Sequence, residues 1–248
     1  MVDELSIIIP TLNEEHYLPK LLSSIATQDF QGRLQVIVVD GESYDKTITV
    51  AKKFKEIIRD LLIVQTTRGV SHQRNIGAQK AIYPYLLFLD ADTVLPLSFL
   101  SHLTKRLEPN QSIFGLSIAF PLDGTIADYF FVLCEYLVIL IASLYKPVVR
   151  GVCIITTKTN HTQIQGFNEG VSYAEDIDYG FRLRRNGAEY RFLFVPYLYE
   201  STRRLYEVGR IKLAFLWLRA YLESVMKGPI LDSSRYQYGF GHHKKKGV

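Results

Sequence analysis

The chain has 248 residues, 48% of them apolar and 22% charged, which is enough apolar material for one sizeable core and excludes an intrinsically disordered chain. Its 16 glycines and 9 prolines follow no repeat of about 20–50 residues, which excludes collagenous, low-complexity and solenoid architectures. The net charge of +4 is unevenly placed: residues 203–248 hold ten Lys/Arg against three Asp/Glu, whereas residues 1–202 hold nineteen against twenty-two. A basic C-terminal stretch beside an apolar helix suits an anionic membrane surface or substrate phosphates. With no RNA- or DNA-binding signature present, nucleic acid is not an expected partner. Cys134 and Cys153 lack CxxC spacing, so a reduced cytoplasmic setting without structural zinc is expected. No basic segment precedes an apolar run at the N-terminus, so no signal peptide is expected.

Taken in chain order, Leu5 to Pro10 is a short apolar run predicting a first strand, and Leu18, Leu21, Leu22 and Ile25 recur at helical spacing. Leu34 to Val39 is a β-branched run of the kind buried on both faces of a parallel sheet, followed by helical character from Asp45 to Phe54. Leu61 to Gln65 predicts a third strand, Ser71 to Ile82 a helix with Ser71 as N-cap, and Tyr85 to Leu89 a fourth strand. This alternation predicts an open, mostly parallel α/β sheet with right-handed crossovers. Further on come strands at Ile113 to Phe120 and Val149 to Thr156, and a long apolar segment from Ile126 to Leu144. A helix from Ala174 to Asn186 is closed by Gly187, and a last strand covers Tyr190 to Val195. The helix from Ile211 to Met226 stops at Gly228-Pro229, and Tyr236 to Val248 reads as a mobile basic tail.

Ligands of open parallel sheets bind beyond the carboxyl ends of the strands. Polar residues directly after strands are therefore candidates: Pro10, Thr11, Asn13 and Glu14 after the first, Asp40 to Ser43 after the second, Asp90-Ala91-Asp92 after the fourth. Two carboxylates leaving a hydrophobic strand together repel unless a cation joins them. Oxygen-only ligands suit Mg²⁺ or Mn²⁺, which complete their shells with substrate phosphates, so a diphosphate ligand is implied. Arg74 offers a guanidinium fork near the same rim, and Glu175-Asp176-Ile177-Asp178 opens a later helix.

Several motifs in order resemble the family 2 glycosyltransferases of the GT-A fold, the nucleotide-diphospho-sugar transferase superfamily. They are Ile7-Ile8-Ile9-Pro10-Thr11-Leu12-Asn13-Glu14, Val38-Val39-Asp40-Gly41-Glu42-Ser43, Arg74-Asn75-Ile76-Gly77-Ala78, Phe88-Leu89-Asp90-Ala91-Asp92, Gly166-Phe167-Asn168-Glu169 and Glu175-Asp176-Ile177-Asp178. The resemblance covers about residues 5–205. It implies a Rossmann-like central sheet flanked by helices, and a nucleoside held by Pro10, Thr11, Glu14 and Asp40, with Asp40 near the base and Glu14 near the ribose. It further implies a DxD motif at Asp90 and Asp92, Asp92 being the direct ligand of Mn²⁺ or Mg²⁺, with Arg74 near the diphosphate. Asp176 matches the general base of inverting members, and Arg203, in Ser201-Thr202-Arg203-Arg204, is placed to close over the diphosphate. The implied partners are a nucleoside-diphosphate sugar, UDP ahead of GDP, and a sugar or lipid-linked acceptor. Gly41 replaces the usual second aspartate of the nucleoside loop, and the processive QxxRW signature is missing, which disfavours polymer synthesis.

The expected organisation is a catalytic domain over 1–204, with a nucleotide-binding half (1–95) and an acceptor half (96–204), an amphipathic helical extension (205–235) and a basic tail (236–248). The segment between Asp128 and Lys146 is interrupted by Glu135, and a single crossing there would put Asp92 and Asp176 on opposite sides of a bilayer. A membrane span is therefore not expected; the helix packs in the core or at a subunit interface, or lies in the interfacial plane near a lipid acceptor. With the last helix and the basic tail, this predicts a cytoplasmic protein peripheral on the inner face of the cell membrane. Two rivals remain: a haloacid-dehalogenase-like phosphatase using Asp90 and Asp92, since Leu86 to Thr93 fits that signature, and a non-catalytic nucleotide-sugar-binding protein.

Overall fold

Apolar runs with both faces covered make the centre of the sheet, and their C-terminal ends make the rim that matters. In the computed structural model, which describes residues 2–108, 111–232 and 234–236, the chain opens with β1 (Glu4–Thr11), α1 (Leu18–Ala26), β2 (Arg33–Asp40) and α2 (Thr47–Lys53). It continues with β3 (Leu61–Gln65), α3 (Val70–Lys80), β4 (Tyr85–Leu89), β5 (Thr93–Val94) and α4 (Phe99–Lys105). The second half holds β6 (Ile113–Pro121), α5 (Ile126–Tyr145), β7 (Cys153–Thr157), α6 (Lys158–Gln163), α7 (Glu175–Arg185) and β8 (Glu189–Glu200). Two helices follow, α8 (Arg203–Val208) and α9 (Arg210–Lys227), and a single 3-10 turn, Ser234–Tyr236, ends the described chain.

The strands form one sheet in the order β3-β2-β1-β4-β7-β6-β8-β5. The first four run parallel, β7 is antiparallel to both of its neighbours, and β6 and β8 pair in parallel. The α/β, mostly parallel architecture expected of the GT-A fold is what the chain adopts. One core layer joins Leu18, Leu21, Leu22 and Ile25 of α1 to Ile7, Ile9 and Val38; the other joins α3, α5 and α7 to Ile8, Val39 and Phe88. Gly77 allows α3 to lie against β1, because a Cβ there would stand 2.3 Å from Ile8 Cγ2.

Several boundaries differ from those read in the sequence. Ser71 is not the N-cap: α3 begins at Val70 behind Gly69, whose φ of +150° turns the chain into the helix, and the Ser71 hydroxyl is buried inside the first turn. The expected strand from Val149 loses its first residues because Gly151 commits its N–H to Asp176 and its carbonyl to Arg74. The last strand does not stop at Val195 but runs through Pro196 to Glu200, with Pro196 near a register shift opposite Ser117 and Ala119 where a ladder N–H is dispensable. Thr93–Val94, α6 and α8 were not foreseen.

The extension folds back on the domain. Ile230 bridges to Tyr173, and Tyr236 is buried with its ring stacked on Tyr173 at 4.4 Å. Tyr236 is thus anchored rather than the start of a mobile tail; residues 237–248 of the expected basic tail lie outside the described residues. The polar side of α9 is also occupied, Glu223 accepting the Tyr236 hydroxyl (2.7 Å) and Arg219 lying over its ring.

Candidate active site

The β1 and β2 ends are stitched together by their pairing, which sets Thr11 beside Asp40. Asp40 is fully buried and accepts from Thr11 Oγ1 (3.3 Å) and the Ser43 N–H (3.0 Å). Gln73 of α3 reaches over this junction and donates from Nε2 to the carbonyls of Thr11 and Val39, both at 2.8 Å. Asn13, at φ +57°, donates its N–H to Ser43 Oγ and accepts from the Tyr44 N–H, while the Glu14 N–H donates to Thr47 Oγ1 (2.7 Å). Pro10 is buried inside β1 and shapes the strand end. The two loops expected to hold a nucleoside therefore form one prebuilt unit, with Asp40 beneath it.

Two ion-pair clusters flank Asp90-Ala91-Asp92. In the first, Arg74 is the largest fully buried side chain among the described residues; its guanidinium donates to Asp90 Oδ1 (2.9 Å), Glu175 Oε1 (2.8 Å) and the Gly151 carbonyl (3.2 Å). Burial pulls the guanidinium down, but the charges of Asp90, Glu175 and Asp176 outweigh it and hold Arg74 charged. Asp176 sits at the N-terminus of α7, its Oδ2 accepting the Gly151 N–H at 2.7 Å and its Oδ1 the Ile177 N–H at 2.8 Å. Burial, then the neighbouring Glu175 charge, raises its carboxyl to about 6 against the opposing pull of Arg74.

In the second cluster Arg203 bridges Glu14 (3.0 Å) and Asp92 (3.3 Å), and Ser201 donates its hydroxyl to Asp92 Oδ2 at 2.6 Å. Burial raises the Glu14 carboxyl to about 7 despite the hydrogen bond from Arg203. The Gly166 to Glu169 motif is a clamp: Asn75 donates to the Phe167 carbonyl and to Glu169, and accepts the Phe167 N–H at 2.8 Å.

A cleft of about 1410 Å³ is lined at one end by Leu12, Arg74, Asp90, Asp92 and Asp176. Asp90, Asp92, Arg74 and Asp176 are thus brought together, and Glu14 and Arg203 join them through Asp92. Thr11 and Asp40 lie below and beside this cleft rather than on its wall. Arg74, expected near a diphosphate, lines the cleft beside Asp90, with both terminal nitrogens engaged by carboxylates. Among the described residues no group of three or more His, Cys, Asp or Glu stands ready to hold a metal alone. An oxygen pair completed by phosphate oxygens, as Mg²⁺ prefers, fits Asp90 and Asp92.

The sequence reading missed Glu175 as the partner of Arg74, and it missed Arg150 altogether. Arg150 pairs with Glu200 (2.8 Å) at the end of β8 and with Glu135 (3.3 Å) of α5, tying the loop that holds Asp176 to the segment that holds Asp92. Its separation of 50 residues from Glu200 leaves no local signal. Gln73 had one: it immediately precedes Arg74, on the helix facing the strand ends.

The sheet order, the joined loops after β1 and β2 and the carboxylate pair after β4 make an α/β architecture of the GT-A type. Residues 6–126, just under half of the chain, match the model of glycosyl transferase family 2. The phosphatase reading of Asp90 falls with this match, and a carboxylate paired to a buried arginine is a poor nucleophile.

The PGL/p-HBAD biosynthesis glycosyltransferase of Mycobacterium tuberculosis is 37% identical over 116 residues, covering 44% of this chain and 45% of the relative. TarS of Staphylococcus aureus, a poly(ribitol-phosphate) beta-N-acetylglucosaminyltransferase, is 34% identical over 111 residues, 43% of this chain and 19% of the relative. The chain spans less than half the length of these curated relatives. Among solved structures, the mannosyltransferase PcManGT of Pyrobaculum calidifontis in complex with GDP-Man and Mn²⁺ has a TM-score of 0.70 at 23% identity, over 89% of this chain and 62% of that one. TarS with UDP-GlcNAc has a TM-score of 0.65 at 21% identity, over 80% and 58%. These likenesses establish the GT-A fold.

Proposed function

We propose that the protein is an inverting, metal-dependent glycosyltransferase that moves a sugar from a nucleoside-diphosphate sugar, UDP ahead of GDP, to a hydroxyl or lipid-phosphate acceptor. The observation that carries this reading is the Asp176 carboxylate, fixed by the Gly151 N–H on the same cleft as Asp90 and Asp92 and raised to about 6. The match to glycosyl transferase family 2 and the nucleotide-sugar complexes of the structural neighbours support the donor class.

Asp176 takes the proton from the acceptor hydroxyl while that oxygen attacks the anomeric carbon, and the bond to the diphosphate breaks with its electrons on the leaving group. Against a lipid phosphate, already anionic, Asp176 orients instead of deprotonating. Mn²⁺ or Mg²⁺, held by Asp92 with Asp90, would supply positive charge to the departing diphosphate. Thr11, Asp40 and Glu14 shape the nucleoside pocket, Arg74 holds Asp90 and the Gly151 loop in register, and Arg203 contributes a guanidinium to the diphosphate side.

The reading includes attachment to the cytoplasmic face of a membrane. In α5 a window of mean hydropathy 1.9 is only 22% buried, and Ile126, Phe130, Leu137 and Leu144 face outward. Its two acids face inward: Asp128 is fully buried, and Glu135 pairs with Arg150. In α9, Ile211, Phe215, Leu222 and Met226 are exposed as well. Such a pair of helices suits lying in the interfacial plane rather than crossing it.

Thermal stabilisation by UDP, GDP and their sugar conjugates with Mn²⁺ or Mg²⁺ tests donor binding, because a ligand of the native state alone raises stability by mass action. Transfer assays on the stabilising conjugate, with Asp176→Asn alongside, test the chemistry. Donor binding without turnover by any acceptor would favour the non-catalytic alternative.

A further inference from the structure

The cleft does not end at the carboxylates. Beyond Asp176 and Gly151 the same cavity continues between α5 and α9, where its walls become apolar: Phe131, Val138, Ile139, Leu213, Trp217 and Leu218. Side chains bridge the gap between the two helices: Arg210 pairs with Asp128 (2.7 Å) at one end and Lys146 donates to the Val225 carbonyl (3.3 Å) at the other, while between them Trp217 lies against Phe131 (ring centroids 6.4 Å) and the Tyr221 hydroxyl donates to the Ala142 carbonyl (3.1 Å). At the junction of the polar and apolar parts stands Glu135. One oxygen meets Arg150, and the other, Oε2, is buried with no hydrogen-bond partner. An orphan acceptor on a ligand-sized cavity loses the free energy of an unmade hydrogen bond unless something fills it, and an apolar slot of this kind is ordinarily filled by hydrocarbon.

We propose that this arm holds the hydrocarbon chain of a lipid-linked acceptor whose head presents a hydroxyl to Asp176 and donates a second hydroxyl hydrogen to Glu135 Oε2. The inference rests on the glycosyltransferase reading and narrows its acceptor. Continuity decides the occupant: one cavity joins the reacting carboxylates to the apolar slot, and the slot is formed by the two helices whose outer faces are exposed and apolar, so a lipid in a bilayer reaches it without its chain crossing water. Charge decides the head. Seven carboxylates line the cavity against four arginines, Arg74 and Arg150 are each engaged by two of those carboxylates, and Arg204 lies within the field of Glu135 and Glu200, so an anionic phosphate meets a net negative wall.

Trp217 is the single tryptophan of the chain and lies in the wall of the arm, so its fluorescence reports occupancy directly. In the full-length protein, 11-bromo-1-undecanol below its micellar range is expected to quench Trp217 saturably and to be displaced by 1-dodecanol. Affinity across 1-alkanols should tighten about fourfold per methylene until the chain outgrows the arm, then level off. Val138→Phe and Ala214→Phe, both at exposed positions lining the arm, should weaken quenching at least tenfold while leaving stabilisation by donor and Mn²⁺ intact. Dodecyl phosphate should bind at least tenfold more weakly than 1-dodecanol, and Glu135→Gln should narrow that gap. Non-saturable quenching, or quenching that both variants leave untouched, would show adsorption to the outer helix faces and overturn the arm as a site. Tighter binding of the phosphate would overturn the hydroxyl head. Saturable quenching in a protein that binds no nucleoside-diphosphate sugar would leave the lipid site standing and defeat the sugar-transfer reading instead.

Discussion

The pH dependence of transfer follows from where Asp176 sits. Its carboxyl is raised to about 6 by burial and then by Glu175, with Arg74 pulling the other way, and only the ionised form can accept a proton. The profile of kcat/KM should therefore have an acid limb of unit slope centred near pH 6, with activity at pH 5 about one tenth of the plateau. A divalent cation at Asp92 adds positive charge to the site, so metal alone moves the limb to or below this value, while the donor's diphosphate pulls it the other way. Asp176→Asn keeps an oxygen for the Gly151 N–H but cannot take a proton, and should cost about 10²–10⁴ in kcat while donor stabilisation persists. The assay is release of nucleoside diphosphate, with and without acceptor, across pH 4.5–8.5 in buffers of constant ionic strength. An acid limb that survives unchanged in Asp176→Asn, or a variant with full turnover on a hydroxyl acceptor, would refute Asp176 as the base.

Three further outcomes test the architecture under the site. Arg74→Ala strands Asp90 and Glu175 without their buried partner and should cost about 3–5 kcal/mol, read as a melting temperature lower by about 6–20 °C in scanning fluorimetry. A loss below about 1 kcal/mol would contradict the pairing seen. Asp128 is the acid of the α5 capping box and accepts from Tyr206 and from Arg210 Nε (2.7 Å), the Arg210 hydrogen bond first among the causes that hold its carboxyl well below the usual range. Its folded value is depressed, so its contribution is full above the unfolded value near 4 and fades as pH falls below it. Asp128→Ala should accordingly destabilise by about 2–4 kcal/mol at pH 7, and the gap from wild type, followed by urea unfolding, should shrink below about pH 4. Gly77→Ala places a Cβ 2.3 Å from Ile8 Cγ2 and should cost about 1–3 kcal/mol through overpacking, despite alanine's better helix propensity.

How far each feature was legible depended on how local its cause is. The parallel strands β1 to β4 are continuous apolar runs closed by polar residues, and both signals lie in the same few residues. The second half of β8 hides behind Pro196, and α6, Lys158–Gln163, has no apolar period to betray it. The same division holds at the site. Asp40, Asp90 and Asp92 announce themselves by following strands, whereas Arg150 takes its meaning from partners in α5 and at the end of β8. Glu135 shows the limit most directly. In the sequence it is a flaw in an apolar segment; in the fold it turns inward to an arginine, with burial raising its carboxyl to about 7 against the pull of Arg150.

The ion pairs also fix how such a site must work. Arg203 pairs with Asp92 and Glu14, the two carboxylates expected to take metal and ribose, so it stands as their counter-ion before any ligand arrives. Two acids gathered without compensation would be costly, and the guanidinium keeps the rim folded in the free protein. A donor arriving with its cation brings positive charge to Asp92 and negative charge in the diphosphate, which removes the need for Arg203 at the first and creates a need for it at the second. Exchange of partners conserves charge in the cleft at every stage, so the arginine can turn from Asp92 to phosphate at small net cost. Arg203 begins α8, and α8 leads through Gly209 into α9, so on the proposed reading that exchange would be made at the start of the segment that carries one wall of the apolar arm.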